Sequence, residues 1–314
     1  MQRVTGTPTI EPEDAARESG TSRNWISWIP LVALPATACV FRSRLAPWQF
    51  MWLLSIAIFV GCKWRTWFVA REARARAGLA RSLGYLFLWP GMDADSFLSD
   101  TPPLRKPGAV EWTVAIAKTL AGAALILLVA RNLAVLPPLL AGWLGMLGLV
   151  LLLHFGTFHL LALLWQSAGV NADPIMRSPV ASTSLGEFWG KRWNIGFREL
   201  SYGLVFQPVR KWLGLVPATL AAFFASGLIH DFVISFSARG GYGLPTAYFL
   251  VQGMGVLLER SAAGRRFSLG RGASGWVFVL LFAGSPAFFL FHPIFVRRVM
   301  IPFIAAIGSM LGFR

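Results

Sequence analysis

The chain has 314 residues, 55% of them hydrophobic and only 14% charged, where ordinary soluble domains carry roughly 25% charged residues. With 14 Trp and 25 Phe as well, this balance excludes a soluble globular protein and indicates an integral membrane protein. The net charge of +15 raises the possibility of nucleic-acid binding. However, Lys and Arg sit between apolar runs, where the positive-inside rule expects them, so the implied partner is a lipid bilayer and not a nucleic acid. The apolar runs are too long and continuous for the roughly ten-residue alternating strands of a closed barrel. The expected fold is therefore all-α.

Residues 1–24 are polar, with Glu11, Glu13, Asp14 and Glu18, and read as a disordered cytoplasmic tail. Trp25 to Phe41 and Trp48 to Cys62 can each just span, and Arg71 to Arg81 form a basic cytoplasmic loop. Leu83 to Trp89 is too short to cross. It ends in Trp89-Pro90-Gly91-Met92-Asp93 and reads as an interfacial or re-entrant segment. Val110 to Ala130 and Leu139 to Trp165 span, and Gln166 to Pro217 is a long, basic cytoplasmic stretch. Leu213 to Phe236, Leu244 to Leu258, Trp276 to Val296 and Ile301 to Phe313 complete the set. The result is a polytopic helix bundle of about eight spans, with a re-entrant segment and an amphipathic cytoplasmic helix. Arg297-Arg298 fall on the outer side in this arrangement, against the charge rule.

Two stretches carry chemistry. Ser184 and Glu187 have capping-box spacing, which predicts a helix start. On that helix Trp189, Trp193, Phe197 and Leu200 would share one face, and Glu187, Lys191, Asn194 and Arg198 another. A cationic interfacial helix of this kind serves equally as a plain membrane anchor. The second stretch is the apolar run Phe223 to Asp231, which contains His230 and Asp231. Ionisable residues inside a span are costly and indicate function by default. Ser226 and Gly227 lie one turn before His230, and their small side chains allow close approach of a ligand or helix. A neutral buried imidazole can take a proton from a hydroxyl. The alternative is a packing histidine bonded to a neighbouring helix.

The remaining histidines carry less. His154 and His159 are five apart and lack a Cys or carboxylate cluster, so no metal site is expected. His292-Pro293 reads as structural. HExxH, Walker and Gly-x-Ser-x-Gly motifs do not occur in the sequence.

Phe188-Trp189-Gly190-Lys191-Arg192-Trp193-Asn194, followed by Ser226-Gly227-Leu228-Ile229-His230-Asp231, resembles the wax synthase branch of the membrane-bound O-acyltransferases (MBOAT). Leu88 to Asp93 and Phe291-His292-Pro293 are similar to two further segments of that family. The resemblance implies a single O-acyltransferase domain over residues 25–314. It implies transfer of a fatty acyl group from acyl-CoA, a co-substrate, to the hydroxyl of a lipophilic alcohol, with no cofactor. By the same resemblance His230 is the catalytic base and Asn194 its polar partner. Trp189, Lys191, Arg192, Trp193, Arg198, Ser226, Gly227 and Asp231 are the expected substrate-binding residues, with Lys191, Arg192 and Arg198 suited to the CoA phosphates. A lipid transporter or flippase using the same cavity is the competing reading. The Ala-, Arg- and Gly-rich composition favours a bacterial inner membrane, with the endoplasmic reticulum as the eukaryotic equivalent.

Overall fold

The computed structural model describes residues 25–103 and 106–313; the expected disordered tail lies outside them. The described chain is helical throughout. Its main helices are α1 (Trp25–Val40), α2 (Pro47–Val69), α3 (Leu79–Leu88), α4 (Ala109–Arg131), α5 (Pro138–Ser167), α6 (Ile195–Ser201), α7 (Leu215–Ala238), α8 (Leu244–Arg260), α9 (Gly272–Leu290) and α10 (Pro293–Met310). Six of them (α2, α4, α5, α7, α9 and α10) are long and apolar enough to cross a membrane. The expected count of about eight included α1 and α8, which are shorter. At 30 residues, α5 is about 45 Å long, more than a bilayer core of about 30 Å needs, and tilt or bending accommodates the excess.

The last two spans break at Phe291-His292, five residues before the expected boundary. Proline at the start of α10 and the His292 cap explain the shift, because His292 Nδ1 accepts from the Phe295 amide at 3.1 Å. Of the two arginines, Arg298 finds a role inside α10. Arg298 donates to the Ala238 and Arg239 carbonyl oxygens, both at 3.2 Å. A guanidinium here satisfies the open carbonyl end of α7.

Two packing units position the rest. Met51, Met146, Ile234, Phe295, Val296 and Val299 join α2, α5, α7 and α10. Tyr85, Trp89, Phe97 and Ala162 anchor α3 and the Trp89–Met92 loop against α5. At ten residues α3 is shorter than the six candidate spans; Leu79, Leu83 and Phe87 face outward along one side, and Trp89 leaves the helix in an extended conformation. α4 and α5 approach so closely that a Cβ on Gly122 would lie 2.3 Å from the Leu152 backbone nitrogen.

The predicted amphipathic helix from Ser184 is broken in the structure. Ser184 does cap, its Oγ accepting from the Glu187 amide at 2.9 Å. A π-turn then runs over Phe188–Arg192, Trp193 is extended, and Asn194 is left-handed at φ 43° before α6 begins. The shared faces expected of one continuous helix therefore do not form. The local bonds explain the break. Arg192 pairs with Glu187 at 2.7 Å, and its Nη1 reaches the Arg177 and Ser178 carbonyl oxygens. Trp193 N–H turns back to the Phe188 carbonyl oxygen, and Ile195 N–H bonds to Ile175. Glu259, at the end of α8, accepts from the Leu185 and Gly186 amides at 2.6 and 2.9 Å, satisfying the open helix start from outside.

Two measurements follow from this packing. Gly122→Leu should part α4 from α5 and lower unfolding stability in detergent by about 1–3 kcal/mol, with an unchanged melting temperature contradicting the close approach. Glu187 is held below its ordinary carboxylate value by the Thr183 amide first and then by Arg192. Its contribution is therefore complete above the ordinary value of 4.5 and is lost as pH falls through the lower folded value. Glu187→Gln should melt earlier than wild type at neutral pH, and the gap should close as the solution is acidified below that range. A gap that stayed constant with pH would rule out this linkage.

Candidate active site

A cavity of about 380 Å³ opens between the Trp189–Trp193 turn, α6 and its continuation, α7 and α8. Its walls are largely aromatic: Trp189, Trp193, Phe197, Phe206, Phe223 and Phe249. Such a surface suits a lipid chain, while the few polar groups fix its orientation. His230, Asn194, Ser226 and two arginines are among those groups, with Ser201, Tyr202 and Thr219.

His230 closes the α-helical part of α7, just before a π-turn over Asp231–Ser235. Its Nδ1 lies 2.7 Å from the Ser226 carbonyl oxygen, one turn back. A carbonyl can only accept, so Nδ1 carries the hydrogen and Nε2 keeps its lone pair. The ring packs against Phe249, with centroids 4.4 Å apart. The imidazole is thus held in one tautomer by a bond within its own helix and in one orientation by an aromatic plate on α8.

Of the sequence-predicted residues, Trp189, Trp193, Asn194, Arg198, Ser226 and His230 come together on this cavity. The other four are not brought to it. Lys191 is exposed on the outer side of its turn. Arg192 is engaged by Glu187 and two carbonyl oxygens. Gly227 faces α8, where an added Cβ would lie 2.7 Å from Thr246 Cα. Asp231 also turns to α8: its carboxylate accepts from the Gly243 and Thr246 amides at 2.9 and 3.0 Å and from the Thr246 hydroxyl. It caps the start of α8 from outside, as its position 100° around the helix from His230 allows.

Other residues of the cavity were not singled out from sequence. Arg260 lines it, near Gly186. In sequence it reads as an ordinary charge marking a cytoplasmic loop, and only the adjoining Glu259 hints at more. Phe249 carries no sequence signal. Gln252 is fully buried behind the wall. It accepts from Trp189 Nε1 at 3.2 Å and donates to the Phe282 carbonyl oxygen at 2.6 Å. A polar side chain at that depth of an apolar helix was a legible signal. Arg198 contributes a buried Nε that has no hydrogen-bond partner among the described residues, which leaves donor capacity for an anion.

Residues 172–251 match the membrane bound O-acyl transferase family, and that span holds the Trp189–Asn194 turn, Ser226 and His230. The chain is 30% identical over 146 residues to the probable long-chain-alcohol O-fatty-acyltransferase 7 of Arabidopsis thaliana, covering 41% of this chain and 42% of that protein. It is 32% identical over 146 residues to the long-chain-alcohol O-fatty-acyltransferase of Simmondsia chinensis, covering 41% and 40%. The chain thus spans half or less of the length of the curated relatives it matches. Residues 172–251, which bear the site, are thus similar to the membrane bound O-acyl transferase family, and the chain is similar over part of its length to proteins named as long-chain-alcohol O-fatty-acyltransferases.

Proposed function

We propose that the protein is an acyl-CoA-dependent O-acyltransferase that esterifies a long-chain alcohol within the membrane. What supports this reading is the state of His230: Nδ1–H tied to the Ser226 carbonyl and Nε2 left as a base, beside an aromatic cavity of lipid-chain character. The acceptor hydroxyl donates its proton to Nε2 as its oxygen attacks the thioester carbonyl. The carbon–sulfur bond breaks, and the departing CoA sulfur takes the proton back from Nε2. The Nδ1–H bond to Ser226 strengthens while the ring carries positive charge. Asn194, on the same cavity, donates to the carbonyl oxygen as charge develops. A thioester leaves readily, so the ester forms directly, without an acyl-enzyme.

Arg198 and Arg260 line the cavity and would hold the CoA phosphates, replacing Arg192, whose donors are already used. Lys191 would add long-range attraction from the exposed side of its turn. The relatives named above are plant proteins. For this chain the Ala-, Arg- and Gly-rich composition favours a bacterial inner membrane.

The direct test supplies labelled long-chain acyl-CoA to membranes with a fatty alcohol, a diglyceride, a sterol or no acceptor. Wild type should form labelled ester with the alcohol. His230→Ala should lose about 10²–10⁴-fold in rate, and full activity in that variant would exclude His230 as the base. Arg198→Ala and Arg260→Ala should raise KM for acyl-CoA, with a wild-type penalty of the same kind at high salt. Arg192→Ala should instead lower the melting temperature and leave that KM in place. If Arg192→Ala alone raised KM, the assignment of the phosphate contacts would be reversed.

A further inference from the structure

Lys63 sits in the apolar helix α2 at 1% exposure. An ionisable group at such a place is costly to hold and is retained for something. It pairs with no carboxylate among the described residues. Its Nζ donates to the Gly91 carbonyl oxygen at 2.6 Å and lies 3.1 Å from the centroid of the Tyr85 ring. The Tyr85 hydroxyl is in turn bonded to Thr66 of α2 at 2.7 Å. Gly91 belongs to the extended Trp89–Met92 loop, whose backbone is outside any helix and needs donors from elsewhere.

The other side of this loop bears on α6. A Cβ on Gly196 would lie 3.0 Å from the Met92 nitrogen and 3.5 Å from Gly91 Cα. Gly196 is two residues beyond Asn194. The same stretch is held from its second side by Ile175, through the Ile195 amide at 3.0 Å, and by Met176 Sδ, through the Asn194 amide at 3.3 Å. A small cavity of about 120 Å³ adjoins this junction, bordered by Gly91, Met92, Ile175, Ile195 and Gly196. It is space into which the loop and α6 can shift once the tie to α2 is cut.

We propose that Lys63 is a positioning residue for Asn194: its amine holds the Gly91 carbonyl, and the close packing of the Gly91–Met92 backbone on Gly196 fixes the start of α6 and so the carboxamide at the cavity wall. The effect on turnover rests on the acyl-transfer reading, whereas the mechanical link does not. The Leu88–Asp93 segment, which touches no part of the main cavity, thereby acts on the site from behind.

The test compares wild type with Lys63→Met, which keeps the stem and removes the donor. Amide hydrogen exchange over residues 192–199 should accelerate about tenfold, while residues 184–188, held by Ser184 and Glu259, keep their wild-type rate. In the ester assay kcat should fall about tenfold or more, with KM for acyl-CoA within about twofold, as expected for a small displacement of a reacting group. Unchanged exchange over 192–199, or acceleration spread evenly over both segments, would overturn the proposal. Gly196→Ala presses the same contact from the other side, and serves if Lys63→Met does not fold. It should speed exchange over 89–93 and 192–199 alone, and a wild-type pattern would count against the link. If wild type forms no ester with any acceptor, the acyl-transfer reading fails, and the exchange data still decide the role of Lys63.

Discussion

A histidine can serve as a base only if the right nitrogen keeps its lone pair. Here that choice is made by one short bond, from Nδ1–H of His230 to the carbonyl oxygen of Ser226. Because both residues lie on α7, one helical turn apart, the tautomer is set locally and does not await assembly of the bundle. Orientation is set by the bundle. Phe249 on α8 lies against the ring, and α8 is fixed at both ends by carboxylates acting between elements. Asp231 caps its start, and Glu259 ties its end to the first amides of the Trp189–Asn194 segment. Each carboxylate satisfies amide groups that an apolar surrounding would otherwise leave unpaired. The helix that carries His230 and the segment that leads to Asn194 are therefore both tied to α8.

Departures from regular α-helix recur around the site. π-turns interrupt the chain at Phe188–Arg192, Tyr202–Phe206, Asp231–Ser235 and Leu280–Gly284. Such turns are uncommon and are found mostly at functional positions. Two of them are held by side chains that use the displaced backbone or the re-aimed residues. Gln252 takes the Phe282 carbonyl and the Trp189 indole together, and Arg192 closes its turn onto Glu187. Asn194 sits left-handed at the end of the first turn, a conformation its short polar side chain tolerates. This local irregularity is what brings Trp189, Trp193 and Phe197 to one cavity without a common helical face.

The same irregularity explains what sequence could and could not reveal. Long apolar runs separated by basic loops made the helical membrane class legible, as did the stop at Trp89-Pro90-Gly91. The paired motifs marked His230, Asn194, Ser226 and the tryptophans. Helical periodicity failed over 184–200, because the π-turn and the left-handed Asn194 change the angle between successive side chains. Lys191 and Arg192, which charge alone assigned to a phosphate, are not brought to the cavity. Asp231 and Gly227 belong to the motif for a different reason: they fasten α8 to α7. Arg260, Gln252 and Lys63 come to or behind the site only through tertiary packing, and each looked in sequence like a topogenic or stray polar residue. The boundary between the last two spans lies earlier than the apolar run suggests because His292 caps the start of α10 and Pro293 follows it.

The central claim is that the acyl group passes directly from thioester to alcohol, with His230 moving only a proton. Purified protein would be mixed with acyl-labelled CoA thioester, with and without long-chain alcohol, then quenched and separated into protein and lipid. The account predicts label in ester only when alcohol is present, and none on the protein in either case. Stoichiometric label on the protein in the absence of alcohol, passed to ester when alcohol is added, would contradict it and make the site a nucleophile and not a base.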